Sequence, residues 1–242
     1  MKNNHFLKKA LFKNNHLIFI WSIVALVVDH NTGKRYAIVG SSGSGKSTLL
    51  NLLLSGNSGY IGNIFYNEKE LRDIAIAGLY DNISVVHQNV FIFDASIKDN
   101  ITLFREFSDE EISQAVELSG LETLIKEKKL TYICGEHGCN ISGGEKQRIS
   151  IARSLLHKSS ILLMDEATSA LDVENTRGIL STLLADENGR TRIVVTHDLN
   201  EELLCQYDEI LVMKDGKLIE KGTFEELVSK DSYFRSFYRV TI

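Results

Sequence analysis

Short apolar runs rich in β-branched residues recur along the chain at residues 36–39, 83–86, 161–164, 192–196 and 209–213, each four to five residues long. Runs this short, with little polar alternation, read as strands buried on both faces. Between them lie segments of helical length and pattern at 47–54, 109–129, 145–157, 173–186 and 201–205. Strand and helix in alternation predict a layered α/β fold with a mostly parallel sheet, because each parallel crossover needs a helix to bring the chain back. The stretch from about 93 to 156 breaks the pattern, since it reads as helix and offers no convincing strand. We expect a single domain whose α/β core takes residues 1–92 and 157–242, with a helical subdomain inserted at about 93–156.

Composition narrows the partners. Lys and Arg total 27 against 32 Asp and Glu, a balance of −5, so no large positive field is available for a phosphate backbone and nucleic acid is not an expected partner. Three cysteines are too few and too scattered for a disulfide framework, which favours a reducing compartment. The longest near-continuous apolar stretch, residues 17–28, has twelve residues, where a spanning helix needs about twenty. Asp29, His30 and Asn31 follow it where a signal peptide would carry small cleavage-site residues, so it reads as core strand material. The chain of 242 residues has no proline, although usage of ~5% would give about twelve.

Residues 40–48 read GSSGSGKST. They fit the phosphate-loop pattern G-x-x-x-x-G-K-[ST], and they lie between an apolar strand and a helix, the context that the pattern requires. Gly40, Ser41, Ser42, Gly43, Ser44 and Gly45 form a turn whose backbone N–H groups can point inward at phosphates. Thr48 lies in the first turn of the following helix, whose N-terminus adds about half a positive charge. Lys46 is placed to reach the β and γ phosphates, and the Ser47 hydroxyl to bind Mg²⁺. Residues 161–166, ILLMDE, form an apolar strand ending in two carboxylates. Asp165 is the candidate for holding the metal through water, and Glu166, pointing elsewhere, for polarising the attacking water. Residues 141–148, ISGGEKQR, supply a second helix start suited to an anion, with Ser142 as N-cap and Gly143 and Gly144 exposing backbone N–H groups.

With these motifs in this order, the sequence resembles the nucleotide-binding domain of ABC transporters. ISGGE at 141–145 is similar to the family signature LSGGQ, and SALD at 169–172 to the D-loop. Gln88 resembles the Q-loop glutamine, and His197 in VVTHD the switch histidine. The resemblance runs from about residue 10 to the end. It implies a P-loop NTPase core with a mostly parallel sheet, an N-terminal antiparallel β portion and an inserted helical subdomain, using ATP and Mg²⁺. It also implies a homodimer or heterodimer of ATPase domains arranged head to tail. Two ATP molecules would lie between the phosphate loop of one subunit and the signature of the other. Ser142, Gly143 and Gly144, with Glu145 beside them, would meet the γ-phosphate of the opposite subunit's ATP, and Asp172 would link the two sites. Catalysis would fall to Glu166, His197, Lys46 and Gln88, and metal binding to Ser47, Gln88 and Asp165.

The segment TYICGEHGCNISGG at 131–144 is similar to the exporter pattern T-x-x-G-E-x-G, matched by Gly135, Glu136 and Gly138, with Thr131 one position earlier than the pattern sets it. Residues 89–101 resemble the exporter stretch that forms a groove for a coupling helix. The resemblance therefore implies an exporter ATPase working with transmembrane permease domains at the cytoplasmic face of the membrane. The chain departs from the family at Glu145, where glutamine is usual. It also has His87 and the Ser159–Ser160 pair where proline is common. For the aromatic that stacks on adenine it offers Phe12, ahead of Phe6 and Phe19. Cys134, His137 and Cys139 make only three candidate ligands in a segment already explained, so no zinc site is expected. A soluble ABC-type ATPase acting on nucleic acid or ribosomes would call for tandem nucleotide domains or a basic arm. A non-hydrolysing regulatory module would lack Glu166 or His197.

Overall fold

A computed structural model of the chain describes residues 27–28, 33–55, 64–66, 69–165, 173–185 and 189–241. In chain order the elements are β1 (Val27–Val28), β2 (Arg35–Val39), α1 (Lys46–Ser55), β3 (Phe65–Tyr66), β4 (Lys69–Glu70), α2 (Ile76–Asn82), β5 (Ile83–Val86), α3 (Ile97–Thr102), α4 (Asp109–Leu118) and α5 (Glu122–Lys128). They continue with α6 (Gly143–Leu156), β6 (Ile161–Asp165), α7 (Val173–Ala185), β7 (Thr191–Val195), α8 (Glu201–Leu204), β8 (Glu209–Lys214), β9 (Lys217–Gly222), α9 (Phe224–Ser229) and α10 (Tyr233–Thr241).

The main sheet runs β5-β6-β7-β2-β8-β9. Its first five strands are parallel, and β9 closes the edge antiparallel to β8. Both faces are covered, which is why these strands read as continuous apolar runs. Ala37, Val39, Leu162, Met164, Val194, Ile210 and Val212 pack on one face against α7, α8, α9 and α10. Their alternates Tyr36, Ile38, Ile161, Leu163, Ile193, Val195, Leu211 and Met213 pack on the other against α1 and the Ile64–Leu79 region. A smaller sheet has the order β1-β3-β4, with β1 parallel and β4 antiparallel to β3. Of the apolar stretch 17–28, the described part, Val27–Val28, is strand.

Two elements differ from the expectation. Residues 109–129 form α4 and α5 instead of one helix. Gly120, at φ +68°, ends α4, with its N–H bonded to the Glu117 carbonyl at 3.0 Å and the Leu121 N–H to that of Val116 at 2.9 Å. This paired capping turn is a common helix terminator, and glycine enters it without steric cost. Strand β9 was missed because it is an edge strand, exposed at Lys217, Ile219 and Lys221, whose sequence KLIEKG has only two apolar residues in succession. Its turn, Asp215–Gly216, has φ of 47° and 74°, the two left-handed residues of a hairpin that an Asp-Gly pair favours.

Between β5 and β6 the chain builds a separate apolar cluster from Ile92, Ile97, Ile101, Ile112, Val116, Leu121, Leu124 and Ile141. Helix α6 serves two cores, since Ile149, Ala152 and Leu156 face this cluster while Ile151 faces the sheet. Ser159, in the pair that stands where the family often has proline, is buried. Its hydroxyl lies 2.7 Å from that of Ser84 and donates to the Ile161 carbonyl at 2.8 Å, tying β5 to β6.

Candidate nucleotide site

Strands β5, β6, β7 and β2 are consecutive neighbours and parallel, so the segments leaving their C-terminal ends share one edge of the sheet. That edge is where open α/β sheets bind ligands. Gln88 lies two residues past β5, Asp165 ends β6, His197 lies two residues past β7, and Gly40 follows β2 directly. Gln88 and His197 are exposed.

The phosphate loop packs closely over the end of β8. A Cβ on Gly40 would lie 2.3 Å from the Met213 carbonyl oxygen, and Gly45 takes φ +99°. The Gly216 N–H donates to the Ser44 carbonyl at 3.0 Å, so the β8–β9 turn buttresses the loop. No motif pointed to that support, although the Asp-Gly dipeptide marked the turn. The Lys46 ammonium is buried and curls back to donate to the carbonyls of Gly40 at 3.0 Å and Ser41 at 3.2 Å. Ser41, Ser42 and Gly43 are exposed, as is Thr48 on the first turn of α1. Ser44 is 2% exposed, and its hydroxyl has no hydrogen-bond partner among the described residues. A buried hydroxyl left this way needs an acceptor or donor to offset its desolvation. A tight glycine loop with one buried ammonium and one buried hydroxyl at the start of a helix therefore fits a phosphate group.

Ser47 and Asp165, separated by 118 positions, meet in the structure: the serine hydroxyl donates to the carboxylate at 3.1 Å. Both oxygens are hard ligands of the type that Mg²⁺ accepts. Lys46, Ser47 and Asp165 are thus brought together, while Gln88 and His197 stand on the same edge. Phe12, Glu166 and Asp172, named from the sequence, lie outside the described residues.

At the start of α6, Ser142 and Gly143 are exposed. The Ser142 hydroxyl accepts from the Glu145 N–H at 3.3 Å, and the Glu145 carboxylate accepts from the Ser142 N–H. This reciprocal cap accounts for Glu145, since glutamate and glutamine both close it. Farther along α6, Gln147 is buried and donates to the Gln88 carbonyl at 3.4 Å. Arg153 donates to the Phe91 carbonyl at 2.6 Å. Beside these contacts Phe91, Phe93 and Phe104 are 59%, 38% and 63% exposed, with ring centroids 5.0 and 5.5 Å apart in edge-to-face pairs. These exposed aromatics form an apolar patch.

The ABC transporter family model matches residues 25–169. The chain is 40% identical over 216 residues to an ATP-dependent lipid A-core flippase of Photobacterium profundum, covering 88% of this chain and 37% of that protein. To the flippase of the same name from Salmonella typhimurium it is 38% identical over 212 residues, covering 86% of this chain and 36% of that protein. The structure of a bacterial Atm1-family ABC exporter with ATP bound aligns with a TM-score of 0.78 at 34% identity, covering 86% of this chain and 37% of that one. The chain thus spans little more than a third of the length of these relatives. Its phosphate loop, its Ser47–Asp165 pair and its capped signature helix stand on the fold that they share, and the chain belongs to the ABC transporter family as an ATPase domain of the exporter type.

Proposed function

We propose that the chain hydrolyses Mg²⁺-ATP in a head-to-tail dimer of ATPase domains and so drives export through transmembrane domains at the cytoplasmic face of a membrane. The observation that carries this reading is the pair of helix starts suited to anions on one chain. The first, at α1, is equipped with a lysine and a hydroxyl–carboxylate pair for metal. The second, at α6, is exposed and has neither. A site with the full set on one side and a bare capped helix on the other is half of a composite pocket, and a second copy supplies the missing half.

Within that pocket Gly40, Ser41, Ser42, Gly43, Ser44, Gly45 and Thr48 wrap the phosphates, and Lys46 turns from the loop carbonyls to phosphate oxygens, which as anions are stronger acceptors. Ser47 and Asp165, with Gln88 beside them, would hold Mg²⁺, which would neutralise charge on the phosphates. Glu166 polarises the attacking water, and His197 steadies the γ-phosphate against it. Ser142, Gly143, Gly144 and Glu145 close on the ATP of the opposite subunit, Asp172 links the two sites, and Phe12 stacks on adenine. The exposed Phe91, Phe93 and Phe104 form the surface that receives a transmembrane domain. The names of the relatives direct the search for cargo toward amphiphiles of the lipid A class.

The test is Glu166→Gln. Turnover should fall by about 10² to 10⁴, the usual contribution of a positioned general base, while ATP-dependent dimerisation measured by size-exclusion light scattering persists. Undiminished hydrolysis would remove Glu166 from the role, and the lack of any ATP-dependent dimer would remove the composite site.

A further inference from the structure

Helix α6 carries the signature at its first turn and Arg153 three turns farther along. The Arg153 guanidinium is the centre of a network that leaves the helix entirely. Its Nε donates to the Asn100 carbonyl at 2.5 Å, one Nη to the Phe91 carbonyl at 2.6 Å and the other to Asn100 Oδ1 at 2.7 Å. All three acceptors are neutral, and burial pushes the guanidinium pKa down to about 10. Asn100, fully buried, passes the contact on. Its Oδ1 also accepts from the Phe93 N–H at 2.9 Å, and its Nδ2 donates to the carbonyls of Phe93 at 3.0 Å and Ser96 at 3.1 Å. The guanidinium carbon stands 5.9 Å from the centre of the Phe93 ring, within reach of a cation–π attraction.

Two groups on α6 therefore grip the segment from Gln88 to Asn100 by its backbone: Gln147 at residue 88, and Arg153 at residues 91 and 100. Backbone contacts define where a loop sits, whatever side chains it bears. A planar guanidinium that spans three oxygens transmits displacement in two directions, which a lysine ammonium or an aliphatic side chain does not. Arg153 is partly buried, and among the described residues no carboxylate pairs with it; taking a cation out of water carries a desolvation cost, so a stability role alone is a poor explanation for an arginine at this position.

We propose that Arg153, acting through Asn100, is a positioning residue that locks the aromatic loop Phe91–Phe93 to the signature helix, so that closure of the signature on ATP shifts the docking surface. This rests on the composite-site reading above. Movement of α6 is carried to the loop as one body because the network has no water-exposed joint at Asn100.

The experiment uses the full chain in a Glu166→Gln background, with hydrogen–deuterium exchange followed over residues 89–104 with and without Mg²⁺-ATP. With Arg153 present, ATP should change exchange in this segment by about tenfold, the scale of a local opening shifted by ~1.4 kcal/mol. In Arg153→Ala the ATP-dependent dimer should form within about threefold of the parent affinity, while the ATP-dependent exchange difference at 89–104 is lost. Arg153→Lys, which keeps the charge without the fork, should restore part of it. If Arg153→Ala fails to fold, Asn100→Asp decides. That change keeps the Oδ1 acceptor of Arg153 and of the Phe93 N–H and deletes the donations to Phe93 and Ser96, so the dimer should persist and the loop response should fall by about threefold or more. An exchange difference that is undiminished in Arg153→Ala, or in Asn100→Asp where that variant decides, overturns the inference. A parent chain that dimerises on ATP with no response at 89–104 overturns it too, and leaves the composite site standing. A parent chain that does not dimerise overturns both.

Discussion

Gly40→Ala places a methyl group where there is no room for one. The added carbon would lie 2.3 Å from the Met213 carbonyl oxygen and 2.8 Å from Ser44 Oγ. Comfortable contact begins at about 3.5 Å, so the phosphate loop and the end of β8 must separate by roughly 1 Å. Neither side yields easily. Met213 is fully buried, its strand is paired with β2 on one side and β9 on the other, and the loop is pinned by Gly216. Overpacking of this kind costs about 1–3 kcal/mol. At roughly 2–4 °C per kcal/mol for a domain of this size, Tm should fall by roughly 2–12 °C. The same shift of the cradle should lower kcat/KM for ATP by about 10²-fold, the usual penalty of a 1 Å misplacement. Gly178→Ala is the control of opposite sign. It lies within α7, exposed and with nothing within 4 Å of the added carbon, so it should raise stability by about 0.5–1 kcal/mol. Scanning calorimetry and a coupled ATPase assay read both. Unchanged Tm and kcat/KM in Gly40→Ala would refute the close approach of the loop to β8.

Asp165→Asn keeps an acceptor for Ser47 but removes the charge, so the Mg²⁺-dependent part of ATP affinity should disappear while binding in EDTA is unaltered. Equal Mg²⁺ dependence in calorimetric titrations would exclude Asp165 from the metal site. Ser142→Ala removes a capping box and should cost about 1 kcal/mol in urea unfolding, whereas Glu145→Gln, which can close the same box, should stay within about 0.5 kcal/mol. A large loss in the second variant would show that the carboxylate has another partner. The His157 imidazole is held below its usual pKa by burial, and next by Arg105. The unfolded chain therefore takes up this proton first as the pH falls, and stability declines below the ordinary histidine value of about 6.5. His157→Gln should make the fall in Tm between about pH 7 and 5 shallower, and an identical pH profile would dismiss the residue.

The strands of the main sheet were readable because covering both faces demands uninterrupted apolar runs, and the phosphate loop because its glycines, lysine and hydroxyl follow one another along the chain. Ser142 and its two glycines were equally local. Helix α6 was expected from Glu145 and begins at Gly143, a shift that the capping box explains. Strand β9 was not readable, since an edge strand with the sequence KLIEKG lacks the apolar run. The break at Gly120 was passed over because a single glycine inside a helical pattern is usually tolerated.

What the linear chain decided on its own is the inventory of chemistry: which residues can cradle phosphate, hold a hard metal or cap a helix, because each motif is a run of neighbours whose backbone geometry is local. The tertiary structure decided which of them act together. The Ser47–Asp165 contact exists because β2 and β6 lie one strand apart in the order β5-β6-β7-β2. The hold of Arg153 on Phe91 and Asn100 exists because α6 packs against α3. Strand order and helix packing are set by how buried faces fit one another, and contacts between positions more than fifty residues apart follow from that fit, which no window along the chain contains.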